Sequence, residues 1–204
     1  SGLCIQDSEL KMAAILEIKT SDEADWHGLQ AAAYQVLVMQ GRRAGTKRVE
    51  TCWYDLLTHT YHVGNDTLVS VTQALTRAGR IDATWFTDES RRRGLLVHDT
   101  AYQIDRGDAH GLSWDTTIDG YVEAYSAFRD DMKPRYRWSE EPFWAETDRF
   151  AGRPDRVVSG FGGFRVDGRL LLYLQANGRY KLRRCKRAED YTDFRADLAT
   201  SLDM

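Results

Sequence analysis

Glu17-Ile18-Lys19 sets a carboxylate and an amine two residues apart at the end of an apolar run. A strand alternates faces with period two, so both side chains point the same way. Such a pair is either an ion pair at the rim of a buried strand or part of a hydrolytic site. Spacing alone does not choose. The chain holds three acid-x-Lys triplets, Glu9-x-Lys11, Glu17-x-Lys19 and Asp131-x-Lys133, where composition by itself supplies about one. Only the second closes an apolar strand.

A second carboxylate, Asp155, follows Pro154 inside the β-like stretch RFAGRPDRVV. It reads either as a turn residue after proline or as a partner for Glu17 on a divalent cation. Mg²⁺ takes oxygen ligands and is held by one or two carboxylates with water and phosphate. Lys19 would then orient or deprotonate the attacking water, or neutralise charge on the phosphate. His98 closes the helical run Gly94-Leu-Leu-Val-His98, one turn after a glycine that permits close approach. It is a candidate metal ligand or an ordinary hydrogen-bonded histidine. His27, His59, His62 and His110 are read as the ordinary kind. Glu140 and Glu141 both precede the Asp155 strand. Strand alternation allows only one on the site face, and Glu141 is the expected one. Gln30 and Tyr34 lie one helical turn apart, eleven residues after Lys19. They reach toward the lysine or form part of an amphipathic face.

The elements that must position these residues follow from periodicity. Residues 12–20 read as a buried strand and 26–40 as a helix. Residues 41–48 are a glycine-containing breaker, and 49–63 are β-like before a turn at Asn65-Asp66. Ser70 caps a short helix that Gly79 stops. Residues 87–105 form a longer helix capped by Thr87 or Asp88, and 116–132 another, with Tyr121, Tyr125 and Phe128 on one face. The stretch 134–182 is β in character, and 189–202 closes with a helix. The fold class is α/β with mixed order, in one domain spanning 1–204.

Composition narrows the function. The chain has 204 residues, 42% hydrophobic and 29% charged, with net charge −3. That suits a single core and lacks the signature of disorder. A pI near 6.0 is below the basic footprint common in nucleic-acid binders. The charge is nevertheless clustered. Arg91, Arg92 and Arg93 are consecutive, and Arg179, Lys181, Arg183, Arg184, Lys186 and Arg187 crowd together. Each cluster is a solvated face or a DNA contact. Cys4, Cys52 and Cys185 form no CxxC pair, which argues against a zinc ribbon or an iron–sulfur cluster. No run approaches the ~20 apolar residues of a membrane span, and no signal-peptide pattern is visible. A cytoplasmic protein is expected.

Taken together, Pro154-Asp155, Glu17-x-Lys19, the GLLVH of the arginine-rich helix and Gln30-x-x-x-Tyr34 resemble the PD-(D/E)xK nuclease superfamily. The likeness is greatest to its RecB-like, phage-exonuclease branch. LVSVTQAL, FAGRPDRV and LLLYLQANGRYKL followed by DYTDF are similar to the helix, acid strand and closing strand–helix of phage members. The resemblance implies a restriction-endonuclease-like mixed sheet flanked by helices. It implies Mg²⁺ or Mn²⁺ held by Asp155, Glu17, His98 and Glu141, with Lys19, Gln30 and Tyr34 completing the catalytic set. DNA is the implied substrate, met by Arg91, Arg92 and Arg93, and a second copy or a recombination protein the implied partner. One departure stands out: the family's acid strand precedes its (D/E)xK strand. Here the segments 1–41, 42–160 and 161–204 are out of that order. Two other readings stay open: a nucleic-acid binding module without catalysis, and a small-molecule enzyme on an unrelated α/β fold.

Overall fold

A computed structural model describes residues 13–40, 42–43, 52–55, 60–82, 84, 86–108, 114–145 and 147–202. Cys4, His59 and His110 lie outside them. The elements run β1 (Ala14–Lys19), α1 (Trp26–Gln40), β2 (Arg42–Arg43), β3 (Cys52–Asp55), β4 (Thr60–Val63), β5 (Asp66–Ser70) and α2 (Val71–Arg77). Then come α3 (Asp88–Arg106), α4 (Asp119–Met132), β6 (Pro134–Ser139), β7 (Phe143–Ala145) and β8 (Phe150–Gly152). The chain continues through β9 (Arg156–Phe161), β10 (Phe164–Arg165), β11 (Gly168–Leu174) and β12 (Tyr180–Cys185) to α5 (Asp190–Leu202).

The described residues form a mixed α/β structure with two mixed sheets and five helices. The main sheet runs β10-β9-β1-β11-β12, with β6 also paired to β9. β1 is antiparallel to β9 and parallel to β11. The second sheet runs β2-β7-β8-β5-β4-β3, its β5–β8 pair parallel.

β1 is buried on both faces, which is why it reads as a continuous apolar run. Its alternation sorts the two layers. Ile15 packs with residues of α1, α2 and α5. Ala14, Leu16 and Ile18 pack with residues of α3 and α4. Glu17 and Lys19 share the parity of Ile15 and therefore project to the α1 side.

The helix ends follow local chemistry. Ser70 accepts from Gln73 N, and the Gln73 side chain accepts from Ser70 N, a reciprocal capping box at α2. Thr87, rather than Asp88, caps α3 through Ser90 N, and Gly107 ends that helix in the left-handed region. Tyr125 and Phe128 of α4 are buried as the periodicity predicts.

Candidate functional site

The strand order of the main sheet makes β9 and β1 neighbours although their residues lie far apart in the chain. Their register pairs Leu16 with Arg156, so the next step brings Glu17 opposite Asp155. Two hydrogen bonds fasten that step. Ile18 N donates to Asp155 Oδ2 at 2.6 Å, and Asp155 N donates to Glu17 Oε1 at 3.1 Å. Both pairings lie within one chain, so the inverted segment order needs no exchange between copies.

Lys19 Nζ donates to Glu17 Oε2 at 3.3 Å and to Gln30 Oε1 at 2.9 Å. Gln30 Nε2 in turn donates to Tyr34 OH at 3.4 Å. α1 thus delivers Gln30 and Tyr34 to the lysine from one face, one turn apart. The amide orientation follows from this chain, because Lys19 offers only protons. Tyr34 is buried and its hydroxyl is held well above the usual tyrosine range by burial.

On the other side of Asp155 stands α3. His98 Nδ1 lies 3.2 Å from Asp155 Oδ1 and 3.8 Å from Glu140 Oε1. Candidate ligand atoms of His98, Glu140 and Asp155 all lie within 4.8 Å of one another. Among the described residues this is the group able to hold a metal ion. Two carboxylates and one imidazole offer oxygen and nitrogen ligands to a divalent cation.

Two expectations need correction. The glutamate beside His98 is Glu140 and not Glu141. β6 ends at Ser139, and Glu140 has φ +55°, left-handed backbone outside the strand. The alternation that favours Glu141 does not extend to it. Glu17, expected as a ligand, lies outside the converging group. Its two oxygens are engaged by Asp155 N and Lys19 instead.

The electrostatics are those of closely packed buried acids and cations. Glu17 is raised to about 8, first by burial and then by Asp155, with Lys19 opposing. Burial also pushes Asp155 up, but His98, Lys19 and the Ile18 N–H outweigh it and hold the carboxyl below the usual range. Burial pushes His98 down, yet the Asp155 and Glu140 carboxylates carry it well above the usual imidazole range.

Sequence reasoning missed Arg156. It is fully buried, with Nε 2.5 Å from Asp105 Oδ2 and Nη1 3.3 Å from Glu140 Oε1. Arg153 reaches the other Glu140 oxygen at 3.1 Å. Glu140 is thus clamped by two guanidiniums, and Arg156 is anchored to α3 through Asp105. The available signal was the seven-residue spacing of His98 and Asp105, two turns apart on one helical face.

Gly94, read as permitting close approach, has only Thr20 Oγ1 near a built Cβ, at 3.9 Å. Nothing among the described residues requires a glycine there. The three consecutive arginines diverge. Arg91 pairs with Asp88 at 3.5 Å and Arg92 with Asp115 at 3.1 Å, both largely exposed. Arg93 lies over the Tyr121 ring at 5.7 Å. In the second basic cluster, Lys181 and Arg183 pair with Glu23, Arg184 with Asp167, and Arg187 with Asp193. Lys181 and Arg183 share one carboxylate, so these ion pairs offset the cluster's charge only in part.

No family model and no curated protein matches this chain. No helix among the described residues is long and apolar enough to cross a membrane.

Proposed function

We propose that the chain is a Mg²⁺- or Mn²⁺-dependent deoxyribonuclease of the PD-(D/E)xK type, an exonuclease or DNA-end processing enzyme on a restriction-endonuclease-like sheet. The observation that carries this reading is the meeting of Asp155 with Glu17-x-Lys19 across neighbouring strands, 138 residues apart in number. His98 and Glu140 flank the same carboxylate.

In this reading Asp155, Glu140 and His98 hold the ion, which when bound supplies Lewis-acid polarisation of the phosphodiester and a nucleophilic hydroxide. Lys19 orients the attacking water or offsets charge developing on the phosphate. Glu17 and Gln30 fix its amine from two sides, and Tyr34 fixes Gln30, so the ammonium is positioned before substrate arrives. Arg153 and Arg156 hold the Glu140 carboxylate in place. Arg91 and Arg92, exposed at the start of the helix that carries His98, meet the DNA backbone. The reading places the enzyme in the cytoplasm, with a second copy or a recombination protein as its partner.

A second reading, a nucleic-acid binding module without catalysis, is favoured by one observation. Both Glu17 oxygens already accept hydrogen bonds within the protein. The test is incubation of linear and circular DNA with Mg²⁺, Mn²⁺ or chelator. Loss of linear DNA with either ion, and survival of circular DNA and of all chelated samples, is expected. Retention of both DNAs bound but uncut would give the second reading. Absence of both binding and cleavage would end the nucleic-acid assignment.

A further inference from the structure

Two guanidiniums hold Glu140, and they differ in what else they can reach. Arg156 is fully buried among protein acceptors, with Nε donating to Asp105 and Nη1 to the Asp155 carbonyl at 2.7 Å. Arg153 is open. Its Nε lies 3.1 Å from Glu140 Oε2, and its side chain is 54% exposed. Among the described residues Glu140 is its ion-pair partner, and no second acid engages it. The opposite oxygen of that carboxylate, Oε1, faces His98 at 3.8 Å. The open guanidinium therefore borders the group able to hold a metal ion.

The backbone that carries Arg153 is held at both ends. Gly152 pairs with Phe143, and the Asp155 carbonyl accepts from Glu140 N at 3.1 Å. Residues 152–155 are thus tied to the segment that carries Glu140. Pro154, buried between Arg153 and Asp155, adds a fixed φ. The other cation beside these acids, Lys19, is buried and already donates to Glu17 and Gln30. A guanidinium has five N–H donors, and one carboxylate oxygen leaves most of those on Arg153 for a ligand from solvent. Forked N–H pairs match phosphate oxygens. Donors fixed before substrate arrives stabilise the charge that develops there.

We propose that Arg153 is a catalytic residue of this site, its exposed N–H groups binding the non-bridging oxygens of the scissile phosphodiester. The role rests on the nuclease reading and adds to it a second cation on the phosphate, besides Lys19. In the hydrolysis a water oxygen bonds to phosphorus, and the ester P–O bond breaks with its electron pair on the leaving oxygen. One water proton ends on that oxygen and the other goes to solvent. Arg153 keeps its own protons throughout and acts through charge and hydrogen bonds.

The experiment compares Arg153→Gln with the wild type in three measurements: Tm with and without Mn²⁺, kcat on linear DNA with Mn²⁺, and affinity for a linear duplex in Ca²⁺ across a range of salt. An exposed ion pair contributes little to stability, and Arg156 still holds Glu140, so the Mn²⁺-induced rise in Tm should persist. The value of kcat should fall about 10²-fold, as for a lost donor to a developing charge. The slope of log K against log salt should flatten by roughly 0.9, one duplex phosphate contact. Wild-type kcat, an unchanged slope, or loss of the Mn²⁺-induced rise overturns the role. The last result would make Arg153 a positioning residue that acts only through Glu140. The two failures are distinct. A wild type that cleaves nothing ends the nuclease reading and this role with it, whereas equal cleavage by wild type and variant ends the role alone.

Discussion

Asp155 and Glu17 are joined through the backbone rather than through a shared proton: Asp155 N donates to Glu17 Oε1 at 3.1 Å. Glu17 also accepts from Lys19, so the acid strand fixes the carboxylate that fixes the amine. Lys19→Ala is therefore expected to reduce cleavage of linear DNA by at least about 10²-fold, in the range of a lost proton-transfer group. DNA affinity should stay nearly constant, because one buried lysine is a small part of a surface that meets many phosphates. Cleavage at the wild-type rate would leave Glu17-x-Lys19 a structural ion pair.

Ion binding should be visible without turnover. Under the nuclease reading, Mn²⁺ at about one hundred times its dissociation constant should stabilise the folded chain by about 2.7 kcal/mol, read as a rise in Tm. Glu140→Gln and His98→Ala should lose that rise, and Glu141→Gln should keep it. Ca²⁺ should raise Tm but support little cleavage, because its looser coordination positions water and phosphate poorly. A Tm rise that survives Glu140→Gln but not Glu141→Gln would make Glu141 the ligand, against the geometry set by the φ +55° of Glu140.

The strands and helices were legible because their signals are local. Ser70 and Thr87 announce their caps, and the apolar run at 14–18 announces a strand buried on both faces. The pairing of β1 with β9 was not legible from the order of segments, since register across 138 residues is set by the sheet and not by neighbours in the chain. Glu140 escaped for a different reason. Alternation assumes extended backbone, and the strand stops one residue earlier. Arg156 escaped because a buried arginine is recognisable only by its partners, and Asp105 and Glu140 come from two other segments.

The three arginines at the start of α3 separate on salt dependence. Arg91→Ala with Arg92→Ala removes two exposed cations paired only to surface acids. Such pairs contribute little to stability, so Tm should hardly move. DNA affinity should fall, and the slope of log K against log salt should flatten by roughly 0.9 for each duplex phosphate that the protein no longer neutralises. An unchanged slope would assign the DNA path elsewhere, with Arg179 and Lys186 the next to substitute.

His27 should make the fold acid-sensitive. Burial, and then Lys19, push its imidazole down to about 3, with Glu23 opposing and the Tyr173 hydroxyl 3.1 Å away. The unfolded chain takes up the proton near pH 6.5, and the folded chain resists it. The unfolded state therefore binds more protons at acid pH, and stability falls as pH drops below about 6.5 and continues to fall toward 3. Each pH unit in that window costs up to about 1.4 kcal/mol from this residue. Glu17, raised to about 8 in the fold, acts with the opposite sign between about pH 4.5 and 8, so the His27 share is read as a difference. In denaturant titrations between about pH 7 and 4, His27→Gln, which cannot titrate, should gain stability relative to the wild type as pH falls. Parallel curves for the two proteins would assign the acid sensitivity to other groups.

Gly152 is the residue on which the seat of Tyr34 depends. A Cβ built there lies 2.4 Å from Tyr34 Cε1 and 3.1 Å from Val71 Cγ2. The first distance is well inside van der Waals separation, and Tyr34 is buried, so the ring has little room to yield. Tyr34 holds Gln30, and Gln30 holds Lys19. Gly152→Ala should therefore cost stability by about 1–3 kcal/mol, the usual range for overpacking. Under the nuclease reading it should also slow cleavage while leaving the Mn²⁺-induced rise in Tm in place, because Tyr34 is bonded to Gln30 and not to His98, Glu140 or Asp155. A separate Tyr34→Phe variant discriminates the two routes. It keeps the ring and removes the hydroxyl that accepts from Gln30, so it should slow cleavage without the overpacking penalty. Full activity in Tyr34→Phe would mean that Lys19 is held by Glu17 and Gln30 alone, with the tyrosine serving only to fill the core.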